Sequence, residues 1–82
     1  MNKETIITNI CYTTLVYDRI NKKLATNLSK LEIEALILKV LTETHKSFFL
    51  KKGKNFYVSN TLHKIRITIN SNTYRVITVD HL

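Results

Sequence analysis

The apolar residues of this 82-residue chain change rhythm once. Up to about residue 45 they recur at spacings of three and four, and beyond residue 55 at a spacing of two. The segment TIITNICYTTLVYDRINKKLA puts Ile10, Leu15, Val16, Ile20 and Leu24 close to a helical stripe, which predicts a helix near residues 11–24 whose start Thr13 and Thr14 weaken. In NLSKLEIEALILKVLTETH, Ser29 and Glu32 have the spacing of a capping box, with Leu28 and Ile33 placed as its hydrophobic staple. Ile33, Leu36, Ile37, Val40 and Leu41 then form a core-facing stripe, while Lys30, Glu34 and Lys39 face water, so a second helix is predicted over about 30–45.

Three runs follow with period two: Phe56 and Val58, then Ile65, Ile67 and Ile69, then Tyr74 and Val76. Their β-branched and aromatic content suits strands. With Ser71 and Asn72 as the centre of a two-residue turn, Asn70 stands opposite Thr73, and the pairs Ile69–Tyr74 and Ile67–Val76 share one face. Lys64, Arg66, Thr68, Arg75, Ile77 and Val79 then occupy the other face, and a slip of one residue would exchange the two. This order of elements predicts an α+β fold over residues 1–82 as a single domain, with two N-terminal helices packed on a small C-terminal three-stranded antiparallel sheet.

Composition adds exclusions. Hydrophobic residues are 44% of the chain and charged residues 23%, with one Gly and no Pro, a globular balance. Cys11 is the only cysteine, which rules out an intramolecular disulfide and a multi-cysteine zinc cage, fits a reducing compartment, and reads as a small buried hydrophobe. Stretches such as EALILKVL fall well short of the ~18–20 residues that span a bilayer, and MNKETIITNI lacks the apolar region of a signal peptide, so a cytoplasmic protein with no membrane association is expected. The three histidines show no HxxxH or HExxH spacing, and neither a metal nor a cofactor is expected.

Charge changes the picture most. The net charge is +7, yet residues 1–43 hold six basic and five acidic side chains, whereas residues 44–82 hold seven basic and one acidic. No Asp or Glu occurs from Thr44 to Val79. A segment of one sign over that length attracts polyanions and speeds their encounter. Within it, Lys46, Lys51, Lys52 and Lys54 interleave with Phe48, Phe49, Phe56 and Tyr57, which suits phosphate neutralisation together with base stacking; Phe48, Phe49 and Leu50 equally fit a plug in the core below the second helix. Gly53 permits positive φ in that loop. On the hairpin, Lys64, Arg66 and Arg75 share a face, with the two arginines placed to hold one phosphate or one carboxylate. The candidate binding residues are therefore Lys46, Lys51, Lys52, Lys54, Tyr57, Lys64, Arg66 and Arg75.

Acid–base chemistry has only His63 and His81 to offer, brought near the same end of the hairpin by antiparallel pairing, with Arg66, Arg75 or Tyr74 to stabilise a phosphorane. As structural residues, His63 would be a strand-end surface side chain and His81 part of a frayed terminus. Glu32 is explained by capping and Glu43 by its position one turn from Lys39, so the carboxylates form no catalytic pair.

Taken together, NICYTTLVYDRINKKL, LSKLEIEALILKVL, KKGKNFYVSNT and IRITINSNTYRVITVD resemble a family of short bacterial proteins classed as a domain of unknown function, over nearly the whole chain. That resemblance implies a compact intracellular protein of a bacterium or mobile element and carries no mechanism. The last third, HKIRITINSNTYRVITVD, also resembles the basic, tyrosine-containing closing hairpin of RelE/ParE-type toxins, which implies ribosome-dependent RNA cleavage. The N-terminus departs from that pattern, with a helix where an opening strand would stand.

The residues favour a small basic module that binds nucleic acid, RNA or DNA, or another polyanion, and lean away from an enzyme. Two other functions fit the same charges: an inhibitor of phage or plasmid type that grips the acidic surface of a host defence nuclease, and a RelE-like ribonuclease toxin. A homodimer through an exposed sheet edge is a further expectation.

Overall fold

The computed structural model describes residues 3–82. Among them, three α-helices, α1 (Lys3–Asn9), α2 (Val16–Leu24) and α3 (Lys30–Glu43), precede a single 3-10 turn (Lys46–Phe48) and four strands, β1 (Phe49–Lys52), β2 (Asn55–Asn60), β3 (Ile65–Asn70) and β4 (Val76–His81). The strands form one antiparallel sheet in the order β1-β2-β3-β4. The fold is α+β, but two helices on a three-stranded sheet must be corrected to three helices and four strands.

The two unforeseen elements are those with least pattern to show. Helix α1 has seven residues and buries only Ile6, although Ile7 and Ile10 pack against the core. Its anchorage is polar: Lys3 Nζ donates to the carbonyls of Thr42 (2.8 Å) and Thr44 (2.6 Å), so a cation sits on the negative end of α3. Strand β1 buries only Phe49; Leu50, Lys51 and Lys52 are exposed, and no alternation is visible. The helix expected from residue 11 starts at Val16 because Cys11 is extended and bridges in parallel to Arg75, its N–H donating to Tyr74 O (3.0 Å) and its carbonyl accepting from Val76 N (2.9 Å). Cys11 is exposed, against the expectation of burial.

Helix α3 begins as its sequence indicates. Ser29 Oγ accepts from the Glu32 N–H (3.1 Å), and Glu32 Oε1 accepts from the Ser29 N–H (2.8 Å). Ile33, Ile37, Val40 and Leu41 point into one core that also takes Ile20 of α2, Phe56 and Val58 of β2, Ile67 and Ile69 of β3, and Val79 of β4. Each such side chain contributes about 1.5–3 kcal/mol when fully buried. All the helices lie against the same face of the sheet. Beyond the core, the Tyr17 hydroxyl donates to Glu34 Oε2 (2.8 Å), tying α2 to α3; burial and this bond push the Tyr17 phenol above its ordinary pKa.

The closing hairpin has a different register from the one expected. Asn70 N–H donates to Arg75 O and Tyr74 N–H to Asn70 O, both at 2.9 Å, so the loop is Ser71 to Tyr74 and not a two-residue turn. The Asn70 side chain explains the longer loop, because its Oδ1 accepts from the backbone of Asn72 (2.8 Å) and Thr73 (2.9 Å), and Tyr74 completes the turn in the left-handed region at φ 60°. Ile69 then pairs with Val76, Thr68 with Thr78 and Ile67 with Val79, leaving Ile77 as the extra residue of a bulge. The expected pairs Ile69–Tyr74 and Ile67–Val76 are not formed. Val79 belongs to the core and not to the cationic face, and Tyr74 packs against Phe56 with ring centroids 6.3 Å apart.

Candidate nucleic-acid interface

The sheet has a second face, opposite the one that carries Phe56, Val58, Ile67 and Ile69, with Thr68 buried at its centre. Register assigns to it Leu50 opposite Tyr57, Tyr57 opposite Thr68 and Thr68 opposite Thr78, with Ser59, Arg66 and Asp80 in the adjoining row and Lys52 beside Asn55. Alternation in β2 creates it: Phe56 and Val58 point to the helices, so Tyr57 and Ser59 must point away. Here a shallow hollow of about 430 Å³ is lined by Leu50, Lys51, Lys52, Tyr57, Ser59 and Arg66. A neighbouring hollow of about 380 Å³ shares Lys52, Tyr57 and Arg66 and extends to Gly53.

The turn between β1 and β2 sets the position of Lys52. Lys52 pairs with Asn55, and Gly53 takes the first central position at φ 61°, as a tight hairpin of the II′ class requires. Lys51 stands in the register beside Phe56, on the helix side, and borders the hollow from the open edge of β1. Arg66 faces Asp80 across the strand pair, but that carboxylate lies 3.4 Å from Lys23 Nζ, and among the described residues Arg66 forms no ion pair. None of the six residues lining the larger hollow is acidic. The ring of Tyr57 and the exposed Leu50 supply an apolar floor, and three cations stand around it.

Of the eight expected binding residues, the structure gathers four: Lys51, Lys52, Tyr57 and Arg66. Lys46 lies in the 3-10 turn, and Lys54 is the second central residue of the β1–β2 turn, where its carbonyl accepts from Ser71 N (2.7 Å) and Ser71 Oγ (2.8 Å). Lys64 sits in the β2–β3 loop at φ 57°, outside the alternation of β3. Arg75 stands opposite Asn70 and Arg66 opposite Asp80, so the two arginines do not hold one phosphate between them; the four-residue loop and the bulge have moved them apart. Leu50 and Ser59 were missed. Of Phe48, Phe49 and Leu50, which the sequence also fits as a core plug, only Phe49 is buried; a Phe-Leu pair entering a strand must send one side chain to each face.

The histidines stand elsewhere. His63 Nε2 is 2.8 Å from Glu43 Oε1, and its backbone N–H donates to Asn60 Oδ1 (2.8 Å). The buried Asn60 in turn donates from Nδ2 to Thr44 Oγ1 (2.9 Å), which donates to Val40 O (2.6 Å). This chain of bonds fastens the β2–β3 loop to the end of α3. The hydrogen bond from His63, followed by the nearby positive charge of Lys39, holds the Glu43 carboxyl below its ordinary pKa. His81 is the last residue of β4, opposite Ile65. A third hollow of about 210 Å³ opens here beside Glu43, His45, Phe48 and Leu62. Among the described residues, no three His, Cys, Asp or Glu side chains are grouped so as to hold a metal ion, and no helix is long and apolar enough to cross a membrane.

A family model described as a protein of unknown function, DUF3781, matches residues 4–80. The chain belongs to that family. The near full-length resemblance drawn from the sequence is thus confirmed, while the likeness to RelE/ParE-type toxins gains no support. No curated protein and no solved structure matches the chain.

Proposed function

We propose that this DUF3781 protein is a binding module for single-stranded nucleic acid, and that the open face of its sheet is the binding surface. The observation that carries this reading is the hollow in which Tyr57 and Leu50 form an apolar floor ringed by Lys51, Lys52 and Arg66. Unpaired bases expose π-faces that stack on a tyrosine ring, and phosphates spaced along the strand meet the surrounding cations. The Arg66 guanidinium can grip one phosphate with two parallel bonds, whereas the lysines act as point charges. Ser59 offers a hydroxyl that donates to or accepts from a base edge. In a duplex the bases are stacked on each other, so the same surface meets phosphates alone.

The charge distribution supports the same conclusion, since residues 44–82 hold seven cations against Asp80 alone, and Lys23 pairs with that carboxylate, so the layer is strongly positive. His63 and His81 take no part in it. The test is to titrate the purified protein into a labelled single-stranded RNA, a single-stranded DNA and a duplex of the same length at low salt. Tighter binding to the single strands, weakened in Tyr57→Ala and in Arg66→Glu, is the expected result. Equal binding to duplex, or binding indifferent to both substitutions, would refute the assignment of this face, and no binding at low salt would refute the function.

A further inference from the structure

The outward side of α3 carries an apolar stripe. Leu31, Ala35 and Leu38 recur at spacings of four and three and all are exposed, Leu31 at 78% and Leu38 at 49%, on the side of the helix away from Ile33, Ile37 and Val40. Thr42 continues the line. At 100° per residue, Glu32 and Lys39 lie together along one flank of it.

We propose that this stripe is the interface of a two-fold symmetric homodimer, in which α3 packs antiparallel on α3 of a second copy. In an isologous contact, residue i meets residue j and residue j meets residue i, so the face must be its own complement. The α3 face has that property. With one helix reversed, Leu31 meets Leu38 of the partner subunit, Ala35 lies near the axis against its own mate, and Glu32 faces Lys39 of the partner subunit on the same flank. The leucine pairing and the charge pairing imply midpoints one residue apart, about 1.5 Å along the axis. Two independent patterns therefore agree on one register. Ala35 at that midpoint lets the helices approach closely. One oxygen of Glu32 accepts from the Ser29 N–H, and a carboxylate has acceptor positions left for a lysine.

The charges also argue for a second copy here rather than on the sheet. Residues 1–43 hold six basic and five acidic side chains, whereas the sheet layer would repel its own kind. The free edge of β1 is guarded by Lys51 and Lys52, a device that discourages strand-to-strand pairing.

The test is sedimentation equilibrium of the full chain across the micromolar range, with cross-linking through a single engineered cysteine. The wild type is expected to be a dimer, and Leu38→Glu to weaken it at least about tenfold while the circular dichroism stays that of the folded chain. Lys39→Glu places like charges opposite each other and is expected to weaken the dimer at low salt and less so at high salt. In a Cys11→Ser background, Ala35→Cys is expected to form a disulfide-linked dimer under mild oxidation, because the axis passes beside it. Thr42→Cys stays uncross-linked, its two copies being about 20 Å apart. A monomeric wild type would overturn the proposal, as would a dimer that Leu38→Glu leaves intact or that Ala35→Cys fails to link.

Discussion

If three cations surround the hollow, the salt dependence of binding counts them. Each phosphate neutralised on a single strand releases about 0.7 of a counterion, so contacts by Lys51, Lys52 and Arg66 give a slope of log affinity against log salt near −2. A fourfold rise in salt should then weaken the wild type about 18-fold and Arg66→Gln only about 7-fold, since its slope falls to about −1.4. Tyr57→Ala should act differently. Losing one stacked base costs about 1–3 kcal/mol, a roughly 5- to 150-fold weaker affinity at every salt concentration, with the slope unchanged. Lys64→Gln and Arg75→Gln, whose residues lie outside the hollow, should leave the slope close to that of the wild type. Fluorescence anisotropy with a short labelled oligonucleotide at four or five salt concentrations measures all of these. A slope near zero, or an Arg75→Gln variant that flattens it as much as Arg66→Gln, would refute the placement of the phosphates.

Three further outcomes concern the scaffold. Asn60→Ala removes the buried hydrogen bond to Thr44 and the half-buried one from the His63 N–H, and should cost about 2–4 kcal/mol in urea denaturation; a loss below about 0.5 kcal/mol would mean that the loop is not held by this chain of bonds. Ala25 ends α2 in the left-handed region at φ 55°, where glycine is at ease, so Ala25→Gly should stabilise the protein by about 0.5–1 kcal/mol and raise Tm by a few degrees, against the usual direction of an Ala-to-Gly change. Glu43 has a lowered pKa when folded, so its contribution is present above the ordinary value of 4.5 and is lost as pH falls through the lowered value; the gap in Tm between wild type and Glu43→Gln should close as the solution is acidified in that direction, and a constant gap would dissociate the shift from the His63 contact.

How much of this could be read beforehand depended on whether a signal was local. The start of α3 was legible because a capping box is complete within four residues, and the change to period two marked β2 and β3, while the third run was begun at Tyr74, in the loop before β4. The faces of the last hairpin were not legible, since they depend on an asparagine that caps a longer loop and on one inserted residue. A clue was present: Val76 and Val79 are three apart and both reach the core, which a strand allows only with a bulge between them. Strand β1 was hidden because an edge strand that buries one side chain has no alternation to show. The binding face suffered in proportion. Lys51, Lys52, Tyr57 and Arg66 line one hollow, whereas Lys46 and Lys54 lie in the turns around β1, and Lys64 and Arg75 fall outside because their grouping rested on a register that the longer loop and the bulge change.

The division of the core between the two halves of the chain bears on how the protein is made. Of the sixteen buried hydrophobic residues among those described, eight belong to the helices and eight to the strands. Helices α1 and α2 have seven and nine residues and α3 fourteen, lengths at which an isolated helix is marginal in water. Helix α2 lies against β4, the last of the four strands to be translated, and Cys11 takes its backbone partners from Tyr74, just before that strand, and Val76, its first residue. A ribosome-bound chain lacking β4 thus carries three amphipathic segments with only part of their cover. Stable structure must wait until β4 has been made, after which each strand finds its partner next to it in sequence and little loop-closure entropy stands in the way.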